Sequence, residues 1–167
     1  DSPDINAFAL TGGYIFINRG LMAYLSSEEE LAAVLGHEIG HVTARHSVRQ
    51  YSQSQLMGIL STAVEINAGR TAGNIANLAS GALLSGYGRD MELEADDLGA
   101  QYIFQEGYSP QGMFEVLSVL KDQEIYSKKI AEQRGQEPRS YHGVFASHPS
   151  NDSRLKEVLN NVSVSFK

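Results

Sequence analysis

Ser26-Ser27-Glu28-Glu29-Glu30 marks the start of a helix more firmly than any other segment of this chain. Either serine gives Ser-x-x-Glu, in which the hydroxyl accepts from a first-turn amide and the glutamate reaches back. The acidic run also complements the positive end of the helix that follows. Leu31, Val34, Leu35 and Val42 recur at three- and four-residue steps, so the spacing predicts a core-facing helix to about Gln50. The other segments must pack around it.

Before that helix, Asn6 to Asn18 carries aromatic and β-branched residues around Gly12-Gly13, the local pattern of a β-hairpin. After it, Tyr51 to Gly88 mixes Ser, Ala, Asn and Gly with Leu56, Ile59, Leu60, Val64, Ile75, Leu78, Leu83 and Leu84 in helical spacing. Two small-residue helices broken near Asn67-Ala68-Gly69-Arg70 are expected, either as a packed pair or, through the glycines at 69, 73, 81, 86 and 88, as a mobile cover. Met91 to Glu106 reads as a helix closed by Gly107. Ser109-Pro110 opens another to about Lys128, with Met113, Phe114, Val116, Leu117 and Leu120 on its apolar face. Ala131 to Tyr141, polar and containing Gly135 and Pro138, is expected as a surface loop. A last helix is expected from Ser150 or Asn151 to Val162, with Leu155, Val158 and Leu159 on one face. Two short strands and a majority of helices make an α+β domain, mainly α, and 167 residues suit a single domain.

Thirteen Lys and Arg against twenty Asp and Glu give a net charge of −7, and no dense basic cluster interrupts it, which argues against nucleic acid as a partner. With no cysteine there is no disulfide, thiolate nucleophile or Cys-type zinc site, so any metal must be held by His, Asp or Glu. No run of about 18 apolar residues offers a transmembrane segment, and no basic-then-apolar signal opens the chain, so a mature or trimmed soluble domain is expected.

His37-Glu38-Ile39-Gly40-His41 fits H-E-x-x-H and falls inside the best-capped helix. Four residues apart on a helix, the two imidazoles project from one face and can ligate the same zinc ion. Glu38 projects about a quarter-turn away, beside the metal, where a carboxylate can take a proton from metal-bound water. Taken alone, the motif also reads as a surface helix with two solvated histidines. Glu92 and Asp96, four residues apart, supply what such a site lacks. A helix that brings Glu92 to the metal as third ligand also aims Asp96 at the region, to accept from a ligating imidazole. Taken alone, this segment is an ordinary acidic helix. An H-E-x-x-H-x-x-G-x-x-H site is excluded, because Ala44 and Ser47 stand where Gly and His are required. His46 is off the ligand spacing and reads as a packed or solvated histidine.

Together these segments resemble the HtpX, CAAX-protease and BepA type of zinc metalloendopeptidase, a gluzincin family. The likeness covers nearly the whole chain. It rests on Asn6-Ala-Phe-Ala, Gly20-Leu21, His37-Glu38-Ile39-Gly40-His41, Arg89-x-x-Glu92-x-x-Ala95-Asp96, Gly107-Tyr108-x-Pro110 and Ser147-His148-Pro149 with Arg154. It implies a zincin-like fold with a hairpin packed on an active-site helix bundle, and one zinc per chain on His37, His41 and Glu92. It further implies Glu38 as general base and a His-Pro loop near the cleft. On that loop His148 can contact the oxyanion of the tetrahedral intermediate or cap the zinc at rest, and Arg154 can assist with charge. The alternatives are a loop histidine and a helix-surface arginine. Tyr141 and His142 are weaker candidates nearby. An exposed strand edge at Phe8, Ala9, Leu10, Thr11, Gly12 and Gly13 can bind an extended polypeptide through its main chain, or simply cover the active helix.

The resemblance implies polypeptide substrates, unfolded or misassembled, and a periplasmic or otherwise exported setting with a role in envelope quality control. It also implies peripheral membrane or outer-membrane assembly partners. The absence of spanning helices favours the soluble branch and gives no support to prenylated substrates. A longer native protein, with an export signal before Asp1 or further domains after Lys167, fits the same family. The competing expectation from another class is a zinc-binding, chaperone-like interaction domain with little or gated hydrolysis.

Overall fold

The computed structural model describes residues 2–67, 86–135, 148 and 152–165. Among them, a hairpin of β1 (Ala7–Ala9) and β2 (Ile15–Ile17) precedes six helices: α1 (Arg19–Met22), α2 (Glu28–Thr43), α3 (His46–Asn67), α4 (Arg89–Gln105), α5 (Gln111–Gln133) and α6 (Asp152–Ser165). The strands are antiparallel, with Ala7 opposite Ile17, Phe8 opposite Phe16 and Ala9 opposite Ile15. The turn needs Gly12 and Gly13, whose φ of 103° and 87° would strain any side chain. The fold is therefore α+β and mainly helical, as the sequence implies.

The helix signalled at Ser26-Ser27 begins as expected. Ser27 Oγ accepts from the Glu30 amide at 3.1 Å, and the Glu30 carboxylate accepts from the Ser26 amide at 2.6 Å. It does not continue to Gln50. After Thr43 the chain turns at Arg45, whose φ of 55° is left-handed, and α3 starts anew at His46. That conformation costs a non-glycine residue about 1–2 kcal/mol, which is why the local sequence gives no hint of it. The buried face of α2 also differs from expectation. Leu31 and Leu35 are only half-buried, while Ala33, Val34, Gly36, His37, Glu38, Gly40 and His41 are buried.

Small residues explain this face. A Cβ on Gly40 would lie 2.8 Å from the Ala95 carbonyl oxygen, and one on Gly99 would lie 2.9 Å from the Gly36 carbonyl carbon. The backbones of α2 and α4 thus pass in direct contact, and this crossing carries the first turn of α4 over the two histidines. Ile5, Ala7, Leu21, Ala33, Val34, Ala100, Ile103, Met113, Val116, Leu117, Leu120 and Val158 form the apolar core that the hairpin, α1, α2, α4, α5 and α6 share. Burying a leucine- or valine-sized side chain there contributes roughly 1.5–3 kcal/mol.

The helix closed at Gly107 is observed, the Tyr108 amide bonding back to the Ile103 carbonyl at 2.9 Å. Pro110 occupies the N-cap of α5, which runs five residues past the expected end at Lys128. From the small-residue region only α3 and the residues after 85 are described; the second expected helix, Tyr141, His142 and most of the expected polar loop lie outside the described residues. No helix among those described is long and apolar enough to cross a membrane.

Candidate metal centre

His37 and His41 stand one turn apart on the buried face of α2, with their Nε2 atoms 3.0 Å from each other. Glu92, on the first turn of α4, completes a triangle, its Oε2 3.5 Å from His37 Nε2 and its Oε1 3.4 Å from His41 Nε2. His148 closes the fourth side. Its Nδ1 lies 3.2 Å from His37 Nε2 and 3.1 Å from Glu92 Oε1, and its Nε2 lies 3.3 Å from Glu38 Oε1. One nitrogen or oxygen from each of His37, His41, Glu92 and His148 falls within 4.8 Å of all the others.

Asp96 and Arg154 stand behind these atoms. Asp96 Oδ1 is 2.8 Å from His37 Nδ1. The guanidinium of Arg154 donates to both oxygens of Asp96, from Nε at 2.5 Å and Nη2 at 2.7 Å, while Nη1 lies 2.7 Å from Glu92 Oε2. His148 and Arg154 are each only 4% exposed, which overturns the readings of an ordinary loop histidine and a helix-surface arginine. The reading of His37 and His41 as solvated surface residues fails in the same way.

The electrostatics follow from burial and partners. Burial alone would disfavour charge on His37, but the hydrogen bond to Asp96, the nearby Glu92 carboxylate and the Asp96 charge outweigh it and raise its pKa to about 9. At His41 burial dominates and the pKa falls to about 3, so this ring is neutral. Burial pushes Glu92 upward, yet the His148 imidazole first, and then the His37 and His41 rings beside it, hold its carboxyl well below the usual range. Burial opposes ionisation of Asp96 too, and Arg154 more than offsets it.

The donor set fits a divalent cation. Tetrahedral ligands about 2.0–2.1 Å from zinc sit roughly 3.3 Å apart, which the three separations of 3.0–3.5 Å bracket. Glu92 Oε2 is buried and has no hydrogen-bond partner among the described residues; the Arg154 approach is an ion contact only. Among the described residues, three buried carboxylates at the site, Glu38, Glu92 and Asp96, face one guanidinium, an imbalance that attracts positive charge and that His37 answers by holding a proton.

Two neighbours of His41 were not evident from sequence. Tyr87 stacks on its ring with centroids 4.1 Å apart and planes 19° apart, and its hydroxyl meets Ser47 Oγ at 2.7 Å. His46, fully buried, lies with its Nδ1 2.7 Å from His41 Nδ1, and burial pushes its pKa down. His46, which reads from the sequence as packed or solvated, is packed; a single helix to Gln50 gives no hint that it faces His41, and no local signal points to Tyr87. Of the strand-edge candidates, Ala9, Leu10, Thr11 and Gly12 line a groove of about 270 Å³ that reaches His41 and is bordered by Val42, Arg45, Ser47 and Val48. Phe8 instead stacks on Phe16, and Gly13 lies at the turn beside Val42.

The family model described as peptidase family M48 matches residues 1–162. The chain is 34% identical to the beta-barrel assembly-enhancing protease of Yersinia pestis over 96% of its own length and 33% of that protein. It is 28% identical to the metalloprotease YcaL of Escherichia coli, over 97% of the chain and 60% of that protein. With the mitochondrial metalloendopeptidase OMA1 of Arabidopsis thaliana it shares 32% identity over 66% of the chain and 22% of that protein. The chain thus spans about a third of the length of the first of these relatives. With a buried His/Glu cluster under a small hairpin in a zincin-like helical domain, and with a match along nearly all of its length, this chain belongs to peptidase family M48.

Proposed function

We propose that this chain is the catalytic domain of a zinc endopeptidase that cleaves unfolded or misassembled polypeptides, as part of a longer exported protein concerned with envelope quality control. The observation that carries the reading is the buried triangle of His37 Nε2, His41 Nε2 and the Glu92 carboxylate, whose Oε2 lacks a hydrogen bond. These three residues would hold the zinc. When bound, zinc supplies a Lewis acid that polarises the scissile carbonyl and acidifies water.

The chain's own residues do the rest. Glu38, 2% exposed at the edge of the cluster, takes the proton of the attacking water and delivers it to the leaving amine. Asp96 fixes His37 through Nδ1, and Arg154 holds the Asp96 and Glu92 carboxylates in register. His148, between Glu38 and Glu92, fills the open side, so the resting arrangement favours the cap over the oxyanion contact, and this ring swings aside for substrate. The groove along Ala9 to Gly12 suits an extended chain bound by its backbone, which demands little of substrate side chains. The names of the beta-barrel assembly-enhancing relatives support an envelope setting and outer-membrane assembly partners.

Purified protein is expected to cleave casein, to stop when a zinc chelator is added and to resume when zinc is restored. The enclosed position of His148 also gives substance to a second reading, a gated zinc domain that binds misfolded chains without cutting them. Zinc-loaded protein that binds casein and leaves it intact would favour that reading.

A further inference from the structure

Among the described residues, His46 is the one fully buried histidine that the proposed reaction leaves unused. Its Nδ1 is 2.7 Å from His41 Nδ1, and its Nε2 is 3.2 Å from Glu94 Oε2. The same Glu94 oxygen accepts from Arg49 Nη1 at 2.7 Å. Two ring nitrogens at 2.7 Å share one proton, because one must donate and the other accept. His41 turns Nε2 toward His37 and Glu92, on the side that seeks a cation, so its lone pair belongs there and its proton sits on Nδ1. His46 Nδ1 therefore accepts, its Nε2–H donates, and Glu94 accepts at the end of the line.

We propose that His46 is a positioning residue of the metal centre: with Glu94 and Arg49 it fixes the tautomer and ring orientation in which His41 presents Nε2 to a divalent cation. The inference rests on the zinc reading above. It also accounts for the break after α2. Five residues along a continuous helix, His46 would point about 140° away from His41. The reversal at Arg45, with φ 55°, is what folds the first residue of α3 back onto the second histidine of α2. Strained backbone held beside a site in this way is a recurring feature of functional centres. The result matches the other ligating ring, since Asp96 holds Nδ1 of His37 as the His46–Glu94 pair holds Nδ1 of His41. Groups that orient a ligating imidazole typically change metal affinity by about 10–100-fold when removed.

The test is zinc affinity by chelator competition, together with the cobalt(II) absorption spectrum and the thermal midpoint of the metal-free protein. The set comprises wild type, His46→Asn, His46→Phe and Glu94→Ala. Asparagine puts an acceptor oxygen where Nδ1 stood, whereas phenylalanine keeps the ring volume without an acceptor. His46→Phe is expected to weaken zinc binding by about 10–100-fold and to shift the cobalt bands, and His46→Asn to stay within about threefold of wild type. Glu94→Ala changes a side chain that is 43% exposed, so it decides the matter should His46→Phe fail to fold. It is expected to cost several-fold in affinity with an unchanged metal-free midpoint. Wild-type affinity in both His46→Phe and Glu94→Ala overturns the inference, as do equal losses in His46→Asn and His46→Phe, which would mean packing alone. A wild-type protein that binds no zinc overturns the zinc reading itself and this inference with it.

Discussion

Glu38→Gln is expected to lower peptide hydrolysis by on the order of a thousandfold while zinc stays bound. The two side chains have nearly the same shape, and Glu38 is not among the three atoms closest to one another in the metal triangle, so the exchange removes a proton acceptor and little else. A general base contributes through the proton it carries in the transition state, so kcat should fall and KM for an unfolded substrate should hardly move. Near-normal cleavage by zinc-loaded Glu38→Gln would eliminate this residue as the base. The neighbouring His148 Nε2, 3.3 Å from Glu38 Oε1, would then be the next base to consider.

The largest effect on stability is expected from Arg154→Leu. Arg154 is 4% exposed and sits against two carboxylates that are 0% and 2% exposed. Removing it leaves Glu92 and Asp96 buried with one cation fewer, a change that typically costs about 3–5 kcal/mol in a broken buried pair. For a domain of this size, thermal unfolding of the metal-free protein should drop by on the order of 10 °C. The pH dependence has a definite sign. Both carboxyls titrate below their ordinary values in the intact protein, so they contribute stability above the unfolded-state carboxylate pKa and lose it as pH falls. Without Arg154 the carboxyls resist ionisation, and the deficit should shrink toward acid pH. Zinc should restore part of the loss by supplying positive charge at Glu92. A midpoint within a degree or two of wild type at neutral pH would show that the clamp is dispensable.

Some of this centre was legible in the sequence because it is local. The Ser27 cap and the four-residue spacing of His37 and His41 depend only on helix geometry, and Glu92 with Asp96 follows from the same spacing on a second helix. The contact between those helices was not legible. It depends on Gly36 and Gly40 meeting Ala95 and Gly99 more than fifty residues later, and a glycine in a helix pattern does not announce its partner. That crossing also moved the buried face of α2 off Leu31 and Leu35 and onto small residues. The break at Arg45 was hidden because arginine is a poor choice for a left-handed turn, and with it the contact of His46 with His41. The depth of Arg154 emerged only when α6 was packed against α4, since an arginine near a helix start usually stays in solvent.

Calorimetric titration of the metal-free protein with zinc at pH 7, repeated in buffers of different ionisation enthalpy, tests the central claim most directly. His37, with a pKa of about 9, holds a proton at that pH, and zinc requires the neutral ring. The account predicts one zinc per chain with about one proton released, affinity rising about tenfold per pH unit up to about pH 9, and binding lost in Glu92→Ala. No binding by the wild type, or undiminished binding by Glu92→Ala, would contradict it.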